Sequence, residues 1–87
     1  MSGEVLHVSE RIVLSPVTGR FVIDPGGQVD PARPGHLVLA GSSLGGVVGS
    51  GRTTAVTTPL TGVIAGLLAH DGERVREGQP IAWLRVA

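Results

Sequence analysis

Cysteine, lysine and tyrosine are missing from this 87-residue sequence, and phenylalanine, tryptophan and methionine occur once each. Without cysteine there is no disulfide, no thiolate nucleophile and no cysteine-ligated metal. An excess of either charge is missing too: seven arginines balance seven acidic side chains, for a net charge of +0. No surplus of positive charge exists to build the basic face of a nucleic-acid binder, so no nucleic-acid partner is expected. Long apolar runs are absent, none nearing the ~20 residues of a membrane helix. The opening Met1-Ser2-Gly3-Glu4 has neither the basic segment nor the apolar run of a secretion signal. The expected setting is the cytoplasm, away from membranes. A chain of this length makes one domain, residues 1–87, and buries only about 60–70% of its unfolded surface. That leaves little room for a deep catalytic cleft.

Glycine and proline are abundant instead, at fourteen and six. They punctuate short runs rich in Val, and a hydrophobic content of 41% argues against disorder. Such β-branched runs between tight turns predict an all-β domain. Strands are expected at residues 11–14, 20–24, 36–40, 52–58, 63–68 and 81–86, with an edge strand at 5–8. Ser15-Pro16-Val17-Thr18-Gly19, Pro25-Gly26-Gly27, Pro59-Leu60-Thr61-Gly62 and His70-Asp71-Gly72 are turn sequences, because proline fixes φ and glycine frees it. Pro31-Ala32-Arg33-Pro34-Gly35 predicts a rigid loop. Residues 41–51 form a Gly/Ser-rich connection interrupted by Leu44 and Val47-Val48. The best helical candidate, 63–68, is broken by Gly66 and too short.

The chain also repeats itself. Ser15-Pro16-Val17-Thr18-Gly19-Arg20-Phe21 recurs as Thr58-Pro59-Leu60-Thr61-Gly62-Val63-Ile64. Gly26-Gly27-Gln28-Val29 answers Gly72-Glu73-Arg74-Val75, and Gly35-His36-Leu37-Val38-Leu39 answers Gly78-Gln79-Pro80-Ile81-Ala82. One half has too few strands to bury an apolar face. Two halves facing each other close a sandwich and protect its strand edges.

These blocks resemble the biotinyl/lipoyl carrier domains over residues 12–86. The most specific stretch is Thr58-Pro59-Leu60-Thr61-Gly62-Val63-Ile64 followed by Gly72-Glu73-Arg74-Val75-Arg76-Glu77-Gly78-Gln79-Pro80-Ile81. The resemblance implies an all-β barrel-sandwich hybrid of two quasi-symmetric halves with a protruding or folded-back β-hairpin. Its parts would be an N-terminal edge strand or extension at 1–10, a first half at 15–40, a connecting hairpin at 41–57 and a second half at 58–87. In that family the cofactor hangs on a lysine at the hairpin tip, flanked by methionines in biotinyl members. Eight positions before the turn proline Pro59, that place falls on Gly51, to within a residue or two. Arg52 beside it cannot substitute, since a guanidinium stays protonated and its nitrogen lone pairs are delocalised. No biotin or lipoate is therefore expected as a cofactor. The arm from Gly35 to Pro59 is also longer and more apolar than is usual in the family.

Other chemistry finds little support. Gly46-Val47-Val48-Gly49-Ser50-Gly51-Arg52-Thr53 has the spacing of a phosphate loop with Arg in place of Lys. The β-prone run 54–58 follows it, where a helix would be required. His7, His36 and His70 are too scattered to make a local metal pair, so no metal is expected. Ser50, Thr53 and Thr54 have no neighbouring base to activate them, no acidic pair stands out, and no catalytic residue is assigned. Trp83 alternates with Ile81 and reads as core or rim packing.

The expected function is that of a non-modified biotinyl/lipoyl-like module, not an enzyme. It would be an interaction, accessory or structural part beside an acyl-CoA carboxylase or a related acyl-transfer complex. The contact residues would be Leu44, Val47, Val48, Ser50, Gly51, Arg52 and Thr53. In an exposed hairpin the apolar members mark a contact surface; folded back, they lengthen the core. Two alternatives remain open: a carrier with a non-lysine attachment point such as Ser50, and a small ligand-binding β-sandwich, or one that self-associates through its apolar arm.

Overall fold

A computed structural model describes residues 9–23 and 33–86. Among these residues eight strands follow one another without a helix: β1 (Ser9–Leu14), β2 (Gly19–Val22), β3 (Leu37–Val38), β4 (Ser43–Gly49), β5 (Arg52–Thr57), β6 (Gly62–Leu67), β7 (Arg74–Val75) and β8 (Pro80–Val86). They form two four-stranded antiparallel sheets, ordered β1-β8-β6-β3 and β5-β4-β2-β7. The result is an all-β barrel-sandwich hybrid. Alternation along the strands, shifted at bulges near Gly45 in β4 and Ile81 in β8, sends one set of side chains inward. Phe21, Leu44, Val47, Val56, Ile64, Val75, Ile81 and Leu84 are fully buried between the sheets, with Val13 and Val38 beside them.

Several expected elements shift. The Gly/Ser-rich run at 41–51 contains a full strand, β4, paired on one side with β2 and on the other with β5. Its inward positions Leu44 and Val47 carry the apolar payload, so burial outweighs the weak strand preference of its glycines. The strand expected at 36–40 shrinks to Leu37–Val38, hemmed between turns at Gly35 and Gly41. β7, only two residues long, gave no sequence signal. The edge strand expected at 5–8, the turn Pro25-Gly26-Gly27 and the start of the loop at 31–35 lie outside the described residues.

Hydrogen bonds between the described residues fall into matched pairs. Phe21 N–H donates to Glu73 O at 2.8 Å, as Ile64 N–H donates to His36 O at 2.9 Å. Gly72 N–H donates to Phe21 O at 2.6 Å, as Gly35 N–H donates to Ile64 O at 2.7 Å. Gly78 N–H donates to Ser15 O at 2.8 Å, as Gly41 N–H donates to Thr58 O at 2.7 Å. Gly35 therefore corresponds to Gly72, and Gly41 to Gly78. The repeat read from the sequence instead sets Gly35 against Gly78. The first half carries extra residues between its second and third strands, and these displace the register of the later blocks.

The buried hydroxyls of Ser15 and Thr58 occupy equivalent corners. Each donates to a carbonyl two residues on, Val17 O or Leu60 O, at 2.6 Å. Thr58 Oγ1 also accepts from Leu60 N–H at 3.2 Å, and the residue is 0% exposed. Thr58→Val keeps the shape but leaves these backbone groups without a partner. Urea unfolding is expected to show a loss of about 1–3 kcal/mol, against a near-neutral Thr58→Ser.

Candidate functional site

β4 and β5 are joined by the two-residue turn Ser50-Gly51, flanked by the register pair Gly49 and Arg52. Both turn residues have positive φ, 50° and 72°, as a type I′ turn requires to match the twist of its strands. Ser50 is the one non-glycine residue with positive φ among the described residues. Space around Gly51 is open, with nothing within 4 Å of where a side chain would begin.

The residues expected at a contact surface divide by strand alternation with one shift at the bulge between Ser43 and Gly45. Leu44 and Val47 are buried at 0% exposure and belong to the core, which removes them from any surface offered to a partner. The arm is folded into the second sheet along β2, so these two lengthen the core. Val48 faces outward and is 42% exposed; Ser50, Gly51, Arg52 and Thr53 are exposed at the tip.

A hollow lies on either side of the turn. One, of about 280 Å³, is bordered by Val17, Ser50, Arg52 and Thr54. The other, an open groove of about 420 Å³, is bordered by Arg20, Arg74, Thr18, Ser50 and Gly72. Thr18, Gly49 and Ser50 border both. Arg20 and Arg74 were not singled out from the sequence. They lie far apart along the chain and meet only because β2 pairs with β7.

The remaining sequence candidates do not converge. Residues 46–53 run strand, turn, strand, so the phosphate-loop spacing has no helix behind it. His36 precedes β3, His70 lies in an exposed turn, and His7 lies outside the described residues. No group of three or more metal-ligating side chains occurs among the described residues. Trp83 is half-buried on β8, with the Arg85 guanidinium 5.7 Å from its ring centre.

No protein-family model and no curated protein matches the chain. The same fold occurs in a urea carboxylase. Against the crystal structure of the Kluyveromyces lactis urea carboxylase the TM-score is 0.71, with 21% sequence identity over 97% of this chain. The chain spans 7% of the length of that carboxylase. At this identity the likeness is one of fold, a small β-sandwich. Among the described residues no helix is long and apolar enough to cross a membrane.

Proposed function

We propose that this chain is a biotinyl/lipoyl-like domain that carries no prosthetic group and works through protein contacts, as an accessory or structural part of a carboxylase or related acyl-transfer assembly. The observation that carries the reading is the hairpin tip. A carrier-type sandwich presents Gly49-Ser50-Gly51-Arg52 where such domains hang their cofactor, and the sequence has no lysine. Amide attachment requires an amine that can lose its proton, and an arginine does not provide one. The turn geometry is nonetheless kept, so the tip remains a shaped projection. Exposed apolar residues support a role in contacts: Ile12, Leu14, Leu37 and Val63 all face outward from the first sheet, at 38–59% exposure. Exposed apolar surface of this kind marks interaction faces.

Two measurements test this together. The intact mass of the protein from its own cells is expected to equal that of the bare polypeptide, and native capture to recover a carboxylase or acyl-transfer subunit. An added mass of biotin or lipoate would overturn the unmodified state. Capture of no such subunit would remove the accessory role.

A further inference from the structure

We propose that the groove beside the hairpin turn is an oxyanion site, built to take a phosphate group of a small molecule between Arg20 and Arg74. The two arginines are direct register partners on β2 and β7, and both are exposed. Like charges facing each other across two strands destabilise a sheet. The fold does not require them there. By the paired hydrogen bonds of the two halves, the equivalent positions are Val63 and Leu37, which are register partners in the other sheet. Apolar side chains therefore satisfy the same geometry, so the sandwich itself does not call for the arginine pair.

The surroundings suit an anion. Among the described residues no acidic side chain borders the groove. The carboxylates of the neighbouring turn are engaged with other groups. Asp71 accepts from Ile23 N–H at 2.8 Å, while Glu73 accepts from His70 N–H at 3.0 Å and from Gln79 Nε2 at 3.1 Å. Thr18 Oγ1 accepts from Glu77 N–H at 3.0 Å, which leaves the Thr18 hydroxyl hydrogen to donate. Ser50 offers a second hydroxyl from the turn.

The donor count favours phosphate over carboxylate. One guanidinium fork already pairs both oxygens of a carboxylate. Two forks and two hydroxyls match the three oxygens and double charge of a terminal phosphoryl group. At about 420 Å³ the groove admits a small molecule around that group.

Titrating the isotope-labelled protein with inorganic pyrophosphate tests the site. Saturable shifts are expected at the amides of Thr18, Gly49, Ser50 and Gly72. Arg20→Gln and Arg74→Gln are each expected to weaken binding tenfold or more, while Arg85→Gln, on the other sheet, leaves it unchanged. Each groove variant removes one of two facing like charges, so folding is retained; an unchanged spectrum away from the groove verifies it. Three results would overturn the proposal. These are shifts no larger than those from sodium chloride at matched ionic strength, an Arg74→Gln variant that binds like wild type, and tighter binding of hexaglutamate than of pyrophosphate. The last would reassign the groove to an acidic protein segment.

Discussion

Phe21→Ala is expected to lower the unfolding free energy by about 3–5 kcal/mol. Phe21 is the one phenylalanine in the chain and is fully buried. It stands in β2 opposite Val47 and ties that strand to the turn before β7 through both of its backbone groups. Truncation removes the largest fully buried side chain and leaves a cavity that two hydrogen-bonded sheets cannot easily close. Small domains are stable by only about 5–15 kcal/mol in total. The variant should therefore melt tens of degrees lower, at about 4–8 °C per kcal/mol for a chain of this size. Urea and thermal unfolding give the number. Ile64→Ala, at the equivalent place in the second half, should cost about 2–5 kcal/mol. A Phe21→Ala loss below about 1 kcal/mol would mean that the site collapses freely, contrary to the packing described.

Gly19→Ala is expected to cost about 3 kcal/mol, the upper end for an overpacked site, and Gly19→Val to prevent folding. A β-carbon on Gly19 would collide with Val48 O and meet Val47 Cγ1 at 2.8 Å. The first of these atoms is backbone in the strand beside it, so relief requires β2 and β4 to part. Gly62, its counterpart, faces Arg85 O at 2.8 Å in the same way. Gly51→Ala provides the contrast. Space is open there and only the φ of +72° opposes a side chain, worth about 1–2 kcal/mol. Denaturant unfolding of the two alanine variants should rank Gly19 well above Gly51. Equal losses would show that backbone conformation, and not strand proximity, sets the cost.

How far the sequence reveals this architecture depends on the length scale of each signal. Ser15-Pro16 and Thr58-Pro59, each followed by a glycine at a strand entry, mark the two corners, because a buried hydroxyl and a proline act locally. β8 is equally legible, since Ile81 and Leu84 are interior positions in a run bounded by a turn. β4 was harder to read. Its glycines resemble a loop until β2 and β5 are placed on either side, and only then do Leu44 and Val47 become interior residues. The Gly-x-x-Val pattern misled in the first half because it occurs twice between β2 and β4, at 26–29 and 35–38. Spacing alone selected the first, whereas the hydrogen bonds to Ile64 select the second. The hairpin tip was legible by counting from Pro59. The arginine pair beside it was not, because cross-strand register between distant segments leaves no mark on either one.

The β1–β8 pair is the counterpart of the β4–β5 hairpin, and the two have opposite fates. Gly49 lies against Thr18 and Gly19 at the start of β2, whereas Gly62, at the start of β6, lies against Arg85 and Val86 at the end of β8. The turn at Ser50 thus lies by the entry to β2, and the partnered residues Ser9 and Val86 lie by the equivalent entry to β6. One half of the sandwich closes its long strand pair with a tight turn, while the other leaves the equivalent strand ends, Ser9 and Val86, paired without one.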